Sequence, residues 1–494
     1  MSASSQPKQA FIKGALWTIG GRWLVRILGL VNTVVLARIL MPSDYGVVAM
    51  AMLLVGLIQA MSDVGVATAL LRKKDIDDVE IHSAWTLRCM QGMVIALLIV
   101  AVAPFAAGYF DEPRVQLVLL IMAACMALEG FGSLGPVLAQ RQFDFALDFR
   151  IQLIAKLTSV LAGWLAAVAM TDYRALVVGI AVGYVLKFGL GYGMHPYRPN
   201  WTTARIADIW RVTRWLMLSS MALFLLRRSD ELIAAKVGST SSFGAYHVGS
   251  DLGRSPVEEI GPPLMRAFLP VLASFQTDRQ RVNHVVVKTL SATSTLTMPI
   301  AVGMWSLSAI FVEVFLGAQW HEVAPFLGLY ALVSLVQFAA NPLSALLVLH
   351  GHTRTQSTAA WLELAAFGIA TLVLLPRLHL IGLVWARFFA TSLNFVVMLV
   401  FAQRLAGLKT SLVLKAFWRP AAGVILMGIT LHLMPSFEPS WGWLELLVKV
   451  SVGAVVFVTW SLVSWLLAGR PEGLESTAID YLRRPRHPVS INDA

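Results

Sequence analysis

Charge is scarce in this sequence. Only 14% of its 494 residues are Asp, Glu, Lys or Arg, against about a quarter in a soluble domain. Hydrophobic residues make up 57%. Apolar runs of about 20 residues recur from end to end, which marks a polytopic membrane protein. No stretch is long and polar enough for a separate soluble domain. Cysteine is scarcer still. Cys89 and Cys125 both lie in apolar runs, at no metal or redox spacing, and read as buried thiols. There is no phosphate loop, catalytic triad or nucleotide motif, so no ATP hydrolysis is expected. His82, His247 and His284 are isolated and lack ligand spacing, so neither metal nor cofactor is expected. The opening MSASSQPKQAFIKGA has no secretory cleavage site, and the first apolar run reads as a retained helix.

What the chain does have is helices. Fourteen spans are predicted, at about 14–37, 45–71, 83–109, 115–139, 147–170, 173–193, 210–236, 242–273, 286–315, 323–349, 356–376, 380–403, 414–434 and 443–468. The span at 242–273 has the weakest pattern, being broken by Pro256 and by Pro262-Pro263. With both termini cytoplasmic, 23 loop or end Lys and Arg residues fall inside and five outside, the asymmetry that sets orientation. The basic excess of +11 is spread over short loops, which argues against a nucleic-acid partner. The longest outer loop, around Pro435 to Gly442, is too short for the acceptor and catalytic segments of a membrane enzyme of polysaccharide assembly. Tryptophans near span ends (Trp17, Trp201, Trp320, Trp418, Trp441) read as interfacial anchors.

The fold expected is an all-α polytopic membrane protein with about 14 transmembrane helices. Residues 37–46 read ARILMPSDYG and residues 235–244 read AKVGSTSSFG. Each has Ala, a base, six residues, an aromatic and Gly, at the outer end of the first span of a six-span block. The repeat predicts two six-helix lobes, 1–195 and 196–405, around a central cavity and related by an axis along the membrane normal. An added helix pair at 406–470 and a cytoplasmic tail at 471–494 complete the division.

Eleven basic residues lie within the proposed spans. Lys187, Arg266 and Lys449 sit near span ends and can snorkel. Arg22 and Arg26 are deeper, four residues apart on one helix face that continues through Gly29 and Thr33. An arginine at the bilayer centre costs about 2.5–3.5 kcal/mol on insertion scales and usually faces a bundle interior or wet cavity. Such a face suits a transporter of a large, anionic, lipid-linked substrate.

The order of motifs resembles the polysaccharide transporter branch of the multidrug/oligosaccharidyl-lipid/polysaccharide exporter superfamily, the Wzx-type flippases. The residues carrying the resemblance are ARILMPSDYGVVAMA (37–51), SDVGVATALLRKK (62–74), APFAAGYFDEP (103–113), PVLAQRQFDF (136–145), RRSDELIAAKVGSTSSFGAY (227–246), FLPVLASFQTD (268–278) and FLGAQWHEVAPFL (315–327). The resemblance implies the two-lobe fold in a bacterial inner membrane. It implies movement of undecaprenyl-pyrophosphate-linked oligosaccharide from the cytoplasmic to the periplasmic leaflet, for exopolysaccharide or lipopolysaccharide export. Membrane lipids and the polysaccharide's polymerase and export machinery are the implied partners.

A pyrophosphate needs a wet cationic passage, and arginine binds phosphate bidentately while staying charged. Arg22 and Arg26 are the leading substrate-binding residues, followed by Arg88 and Lys156; the structural alternative pairs them with Asp63 or Glu129. Arg227 and Arg228 stand three residues before Asp230 and Glu231, so local pairing competes with a substrate role. Arg254 can reach Asp251 or Glu258 by the same logic. Glu258 and Glu259 are candidates for ion coupling, since a carboxylate in low dielectric takes up a proton more readily. Three alternatives remain: a lipid II flippase, a drug/cation antiporter, which should show an acidic cavity, and a membrane enzyme.

Overall fold

The computed structural model describes residues 5–62, 70, 76–142, 144–275, 278–435 and 441–469, and every regular element among them is helical. In chain order these are α1 (Ser5–Ala37), α2 (Pro42–Ser62), α3 (Asp78–Phe110), α4 (Arg114–Gly130), α5 (Gly135–Arg141), α6 (Phe145–Met170), α7 (Arg174–Gly193) and α8 (Ile206–Val237). They continue as α9 (Thr240–Ser274), α10 (Arg279–Ser306), α11 (Ser308–Phe315), α12 (Val323–Leu349), α13 (Thr353–Ala406), α14 (Thr410–Leu433) and α15 (Gly442–Leu467). Short polar side chains start several of them. Asp77, Asp144 and Asp278 each accept a bond from a backbone N–H in the first turn of α3, α6 and α10, which satisfies donors the helix leaves orphaned. α2 opens on Pro42, whose missing N–H costs nothing there.

Among the described residues ten helices are long and apolar enough to cross a membrane, or eleven if α4 and α5, bent by 48°, form one pass. α8 and α9 are not in this count. The backbone of α9 is one helix from Thr240 to Ser274, so the break expected at its prolines does not occur. α13 turns back on itself at His379, where φ is 51° and ψ is −140°. Along a straight helix Glu363 and Thr391 would be about 42 Å apart. Instead the Thr391 hydroxyl donates to Glu363 Oε1 at 3.5 Å.

The chain divides into two compact units, Met1–His247 and Val248–Ala494. In the first, glycines let helix backbones approach, the mode of packing that works where lipid offers no hydrophobic drive. Gly92 of α3 meets Gly130 of α4, and Gly179 of α7 meets Gly163 and Ser159 of α6. α1 runs parallel to α6, with Gly21 at Phe149 and Gly29 near Lys156. In the second unit, α9 lies parallel to α12: Gly249 packs on Phe326 and Gly261 on Phe338. A core of α9, α10, α12, α13 and α14 residues gathers around Leu272, Val286, Leu290, Leu346 and Ala402.

Two expectations are corrected here. Trp320 is fully buried, not an interfacial anchor, whereas Trp201, Trp418 and Trp441 are exposed. Trp320 falls in a short 3-10 turn (Ala318–Trp320) between α11 and α12 that carries its ring inward. Lys449 does not snorkel. It is buried in α15 and paired with Glu445, one turn earlier, at 2.6 Å. Asp63, named as an acid partner, lies outside the described residues.

Candidate functional site

α1 and α6 bring the deepest cations of the first unit together. Thr33 bonds back to the Gly29 carbonyl at 3.1 Å, and Gly29 faces the Lys156 ammonium. Arg26, one turn earlier on α1, is half-buried. Beside Lys156 lies a cavity of about 250 Å³. Asn32, Thr33 and Leu36 of α1, Tyr45, Val48 and Met52 of α2, Lys156 and Ser159 of α6, Ile180 of α7 and His247 of α9 line it.

Most polar groups on this wall are satisfied. Tyr45 donates to the Thr33 carbonyl at 3.2 Å, and Ser159 to the Gly179 carbonyl at 2.7 Å. Two are not. Asn32 Oδ1 is buried with no hydrogen-bond partner, and Lys156 has no ion pair among the described residues. A buried acceptor without a partner costs about 1–3 kcal/mol, and an embedded cation without a counter-charge costs more. The wall therefore carries a cation without an ion pair among the described residues and, on Asn32, a buried acceptor without a donor.

The other sequence candidates fall into three groups. Arg22 is exposed on α1, and Arg88 is half-buried beside Gly132 just after α4; neither has an ion pair among the described residues. Glu129, the acid proposed as a partner for these cations, bonds Lys187 instead at 3.4 Å. Arg228 forms the local pair with buried Glu231, which also meets His247 Nδ1 at 3.3 Å. His247 is thus not isolated. Arg227 is exposed, and buried Asp230 receives the Tyr246 hydroxyl at 3.3 Å. In the second unit Arg254 lies over the Tyr330 ring, 4.3 Å from its centre. Asp251 and Glu258 are exposed with no ion pair among the described residues, so the pairs expected within α9 do not form. Glu259 is half-buried. Asn32 and Ser159 were missed because neutral polar residues in an apolar run carry no charge signal.

Outside the apolar layer the first unit pairs its charges. In the α3–α4 turn Glu112 accepts from Arg114 Nε at 2.8 Å and Nη2 at 2.7 Å, and from the Thr240 hydroxyl at 3.0 Å. These bonds, Arg114's first, hold its carboxyl below the ordinary carboxylate range. Beyond the other end of α7, burial and then Arg198 push the His195 imidazole down.

Residues 35–325 match the model of a family described as polysaccharide biosynthesis protein. The chain belongs to that family. It is a polysaccharide transporter of the multidrug/oligosaccharidyl-lipid/polysaccharide exporter superfamily. Among its relatives, the lipopolysaccharide biosynthesis protein WzxC of Escherichia coli is 24% identical over 69% of this chain and 70% of its own. The teichuronic acid biosynthesis protein TuaB of Bacillus subtilis is 21% identical over 90% of this chain and 94% of its own. The fold is that of a lipid II flippase, MurJ, in an inward closed conformation, with a TM-score of 0.74 over 92% of this chain and all of that one, at 15% identity. An inward-facing multidrug transporter of the same superfamily gives 0.59 over 78% and 95%, at 13% identity. The family match starts at residue 35, so it takes in the α2, α6 and α7 walls of the cavity and leaves out Arg22, Arg26 and Asn32.

Proposed function

We propose that this polysaccharide transporter is a flippase. It moves undecaprenyl-pyrophosphate-linked oligosaccharide from the cytoplasmic to the periplasmic leaflet by alternating access, and it makes or breaks no covalent bond. The observation that carries the reading is the cavity wall: Lys156 lines it without an ion pair among the described residues, and so does Asn32, whose buried Oδ1 has no hydrogen-bond partner. The pyrophosphate docks on Arg22, Arg26 and Lys156, with Arg88, Arg227, Arg228 and Arg254 along its path. Sugar hydroxyls serve Asn32, and the polyprenyl tail stays in lipid. Glu258 and Glu259 are the proposed ion-coupling carboxylates.

The proposed topology has fourteen passes with both termini cytoplasmic, in a bacterial inner membrane. It comprises lobes 1–195 and 196–405, a helix pair at 406–470 and a tail at 471–494. The fold-back of α13 at His379 favours fourteen passes, because it makes two antiparallel segments of one helical run. The polysaccharide's polymerase and export machinery are the proposed partners. A lysine on the cavity wall weighs against a drug/cation antiporter, whose cargo needs carboxylates there.

The test is flipping of short-chain polyprenyl-pyrophosphate oligosaccharide in reconstituted vesicles. Arg26→Ala/Lys156→Ala is expected to lose at least about 100-fold in rate, since two charge-assisted phosphate contacts are removed. Flipping by the variant at the wild-type rate would remove the cavity from the mechanism. Absence of flipping in correctly folded wild type would remove the substrate.

A further inference from the structure

Where α5 ends and α6 begins, the first unit holds another cavity, of about 420 Å³. Gln142, Asp144, Arg150, Met194 and His195 line it. Asp144 and Arg150 bring opposite charges to this one cavity, yet neither has an ion pair among the described residues. Asp144 Oδ1 accepts from Ala146 N at 3.1 Å as the cap of α6, and Oδ2 has no bond among the described residues. His195 Nδ1 accepts from Tyr197 N at 3.1 Å, so the neutral ring carries its hydrogen on Nε2. Burial and then Arg198 hold the imidazole down, which keeps that neutral donor in place at physiological pH. The ring is seated on the start of α5: a Cβ on Gly135 would stand 2.6 Å from His195 Cβ. A lone anion here would gain Arg150 and meet Asp144 with the wrong sign, and a lone cation the reverse. A group that carries an anion and a cation a few ångströms apart satisfies both.

The rest of the occupant is set by α6 beyond the cavity. Arg150, Ile154, Leu157 and Leu161 lie on one face at helical spacing, and all four are exposed. Leu165 and Val168 continue the row, each 74% exposed. Other faces of α6 are taken: Phe149 and Lys156 meet α1, and Ser159 and Gly163 meet α7. From Arg150 to Leu161 the helix rises about 16 Å, close to half of a hydrocarbon core about 30 Å thick. A charged cavity that leads straight into an apolar row one leaflet deep fits a headgroup with an acyl chain below it, rather than a water-soluble zwitterion.

We propose that this cavity is a headgroup site for a phosphoethanolamine lipid. The phosphate lies on Arg150, His195 and Gln142, the ammonium on Asp144, and an acyl chain along the α6 row. A lipid held there ties the start of α6 to the end of α7 and is a resident of the fold, not its cargo. Its place in the cytoplasmic leaflet rests on the proposed topology; the binding itself rests on neither that topology nor the flippase reading.

The experiment titrates the full-length protein, delipidated in detergent, with phosphatidylethanolamine or phosphatidylglycerol and follows the first lipid adduct by native mass spectrometry. The two lipids share phosphate and chains and differ in the ammonium. Phosphatidylethanolamine should bind about fivefold more tightly, the worth of one partly exposed ion pair. Asp144→Asn keeps the cap oxygen and removes the charge, so it should abolish that preference. Arg150→Gln should weaken both lipids about fivefold, as expected for one cation at a membrane surface. Equal binding of the two lipids by wild type overturns the proposal, as does a preference that survives in Asp144→Asn or unchanged binding in Arg150→Gln. Displacement of the lipid by an equal concentration of free phosphoethanolamine also overturns it, since the ligand would then be water-soluble. If Asp144→Asn fails to fold, the wild-type comparison and Arg150→Gln decide.

Discussion

The two units cover some of their embedded cations differently. In the second, Lys449 is held by Glu445, and Arg387 is buried over the Phe367 ring, 4.1 Å from its centre. Arg419 spans from α14 to α15, reaching Ser464 Oγ at 3.3 Å and the Ser461 carbonyl at 3.2 Å. In the first, Arg22, Arg88, Lys156 and Arg227 have no ion pair among the described residues, and Asn32, on the cavity wall, has a buried Oδ1 without a donor. Outside the apolar layer the same unit pairs its charges well, as Glu112 and Arg114 show. The unpaired cations are therefore not a general laxity of the first unit. On the proposed reading, embedded charge that is covered at home works for stability, whereas the uncovered cations of the first unit meet the substrate.

The largest effect that can break this comparison lies in the second unit. Glu445→Leu leaves a buried lysine without its partner, at an expected cost of about 3–5 kcal/mol. Adding Lys449→Met should restore most of it, because replacing both charges avoids their desolvation. A thermal or denaturant unfolding series in detergent reads this directly. The single Lys156→Met should by contrast leave stability unchanged or raise it; a loss comparable to that of Glu445→Leu would make Lys156 structural and erase the contrast.

A smaller effect sharpens the reading of the cavity. Asn32→Leu removes an acceptor that has no partner, so the resting protein should be as stable as wild type or more so. Flipping should nevertheless fall about tenfold, equivalent to about 1.4 kcal/mol. A loss of stability together with flipping at the wild-type rate would show that Asn32 serves the fold.

The smallest effect concerns the paired acid of the first unit. Because the folded carboxyl of Glu112 titrates below its unfolded value of about 4.3, its contribution is fully present above that value. It disappears as pH falls through the lower folded value. Arg114 is 41% exposed, so screening limits the contribution to about 1 kcal/mol. Melting between pH 6 and pH 3 should therefore show a fall that Glu112→Gln partly removes. An identical pH profile in the variant would mean that the pair contributes nothing.

Much of this was legible in the residues. Apolar runs identified the membrane class because a backbone in lipid must satisfy itself in helices. The Arg22, Arg26, Gly29, Thr33 face was readable because helical spacing puts residues three and four apart on one side. The local pair of Arg228 with Glu231 followed from the same spacing. Arg254 failed that rule: its neighbours in sequence were acids, but α12 offered the Tyr330 ring. Lys449 and Trp320 failed for a related reason. Their distance from a span end suggested an interface, while the packing around them turned both inward.

By itself the sequence determined the class of protein, the excess of embedded cations in its first half and the existence of a repeat. Each of these is a local property of spacing and composition. Only the tertiary structure decided which cations lie by a cavity, which polar oxygen lacks a donor, and that His195 shares a cavity with Asp144 and Arg150. Those outcomes depend on which helices become neighbours. Residues as far apart as Lys156 and Asn32, or Arg150 and His195, acquire their meaning only when the fold brings them to one cavity.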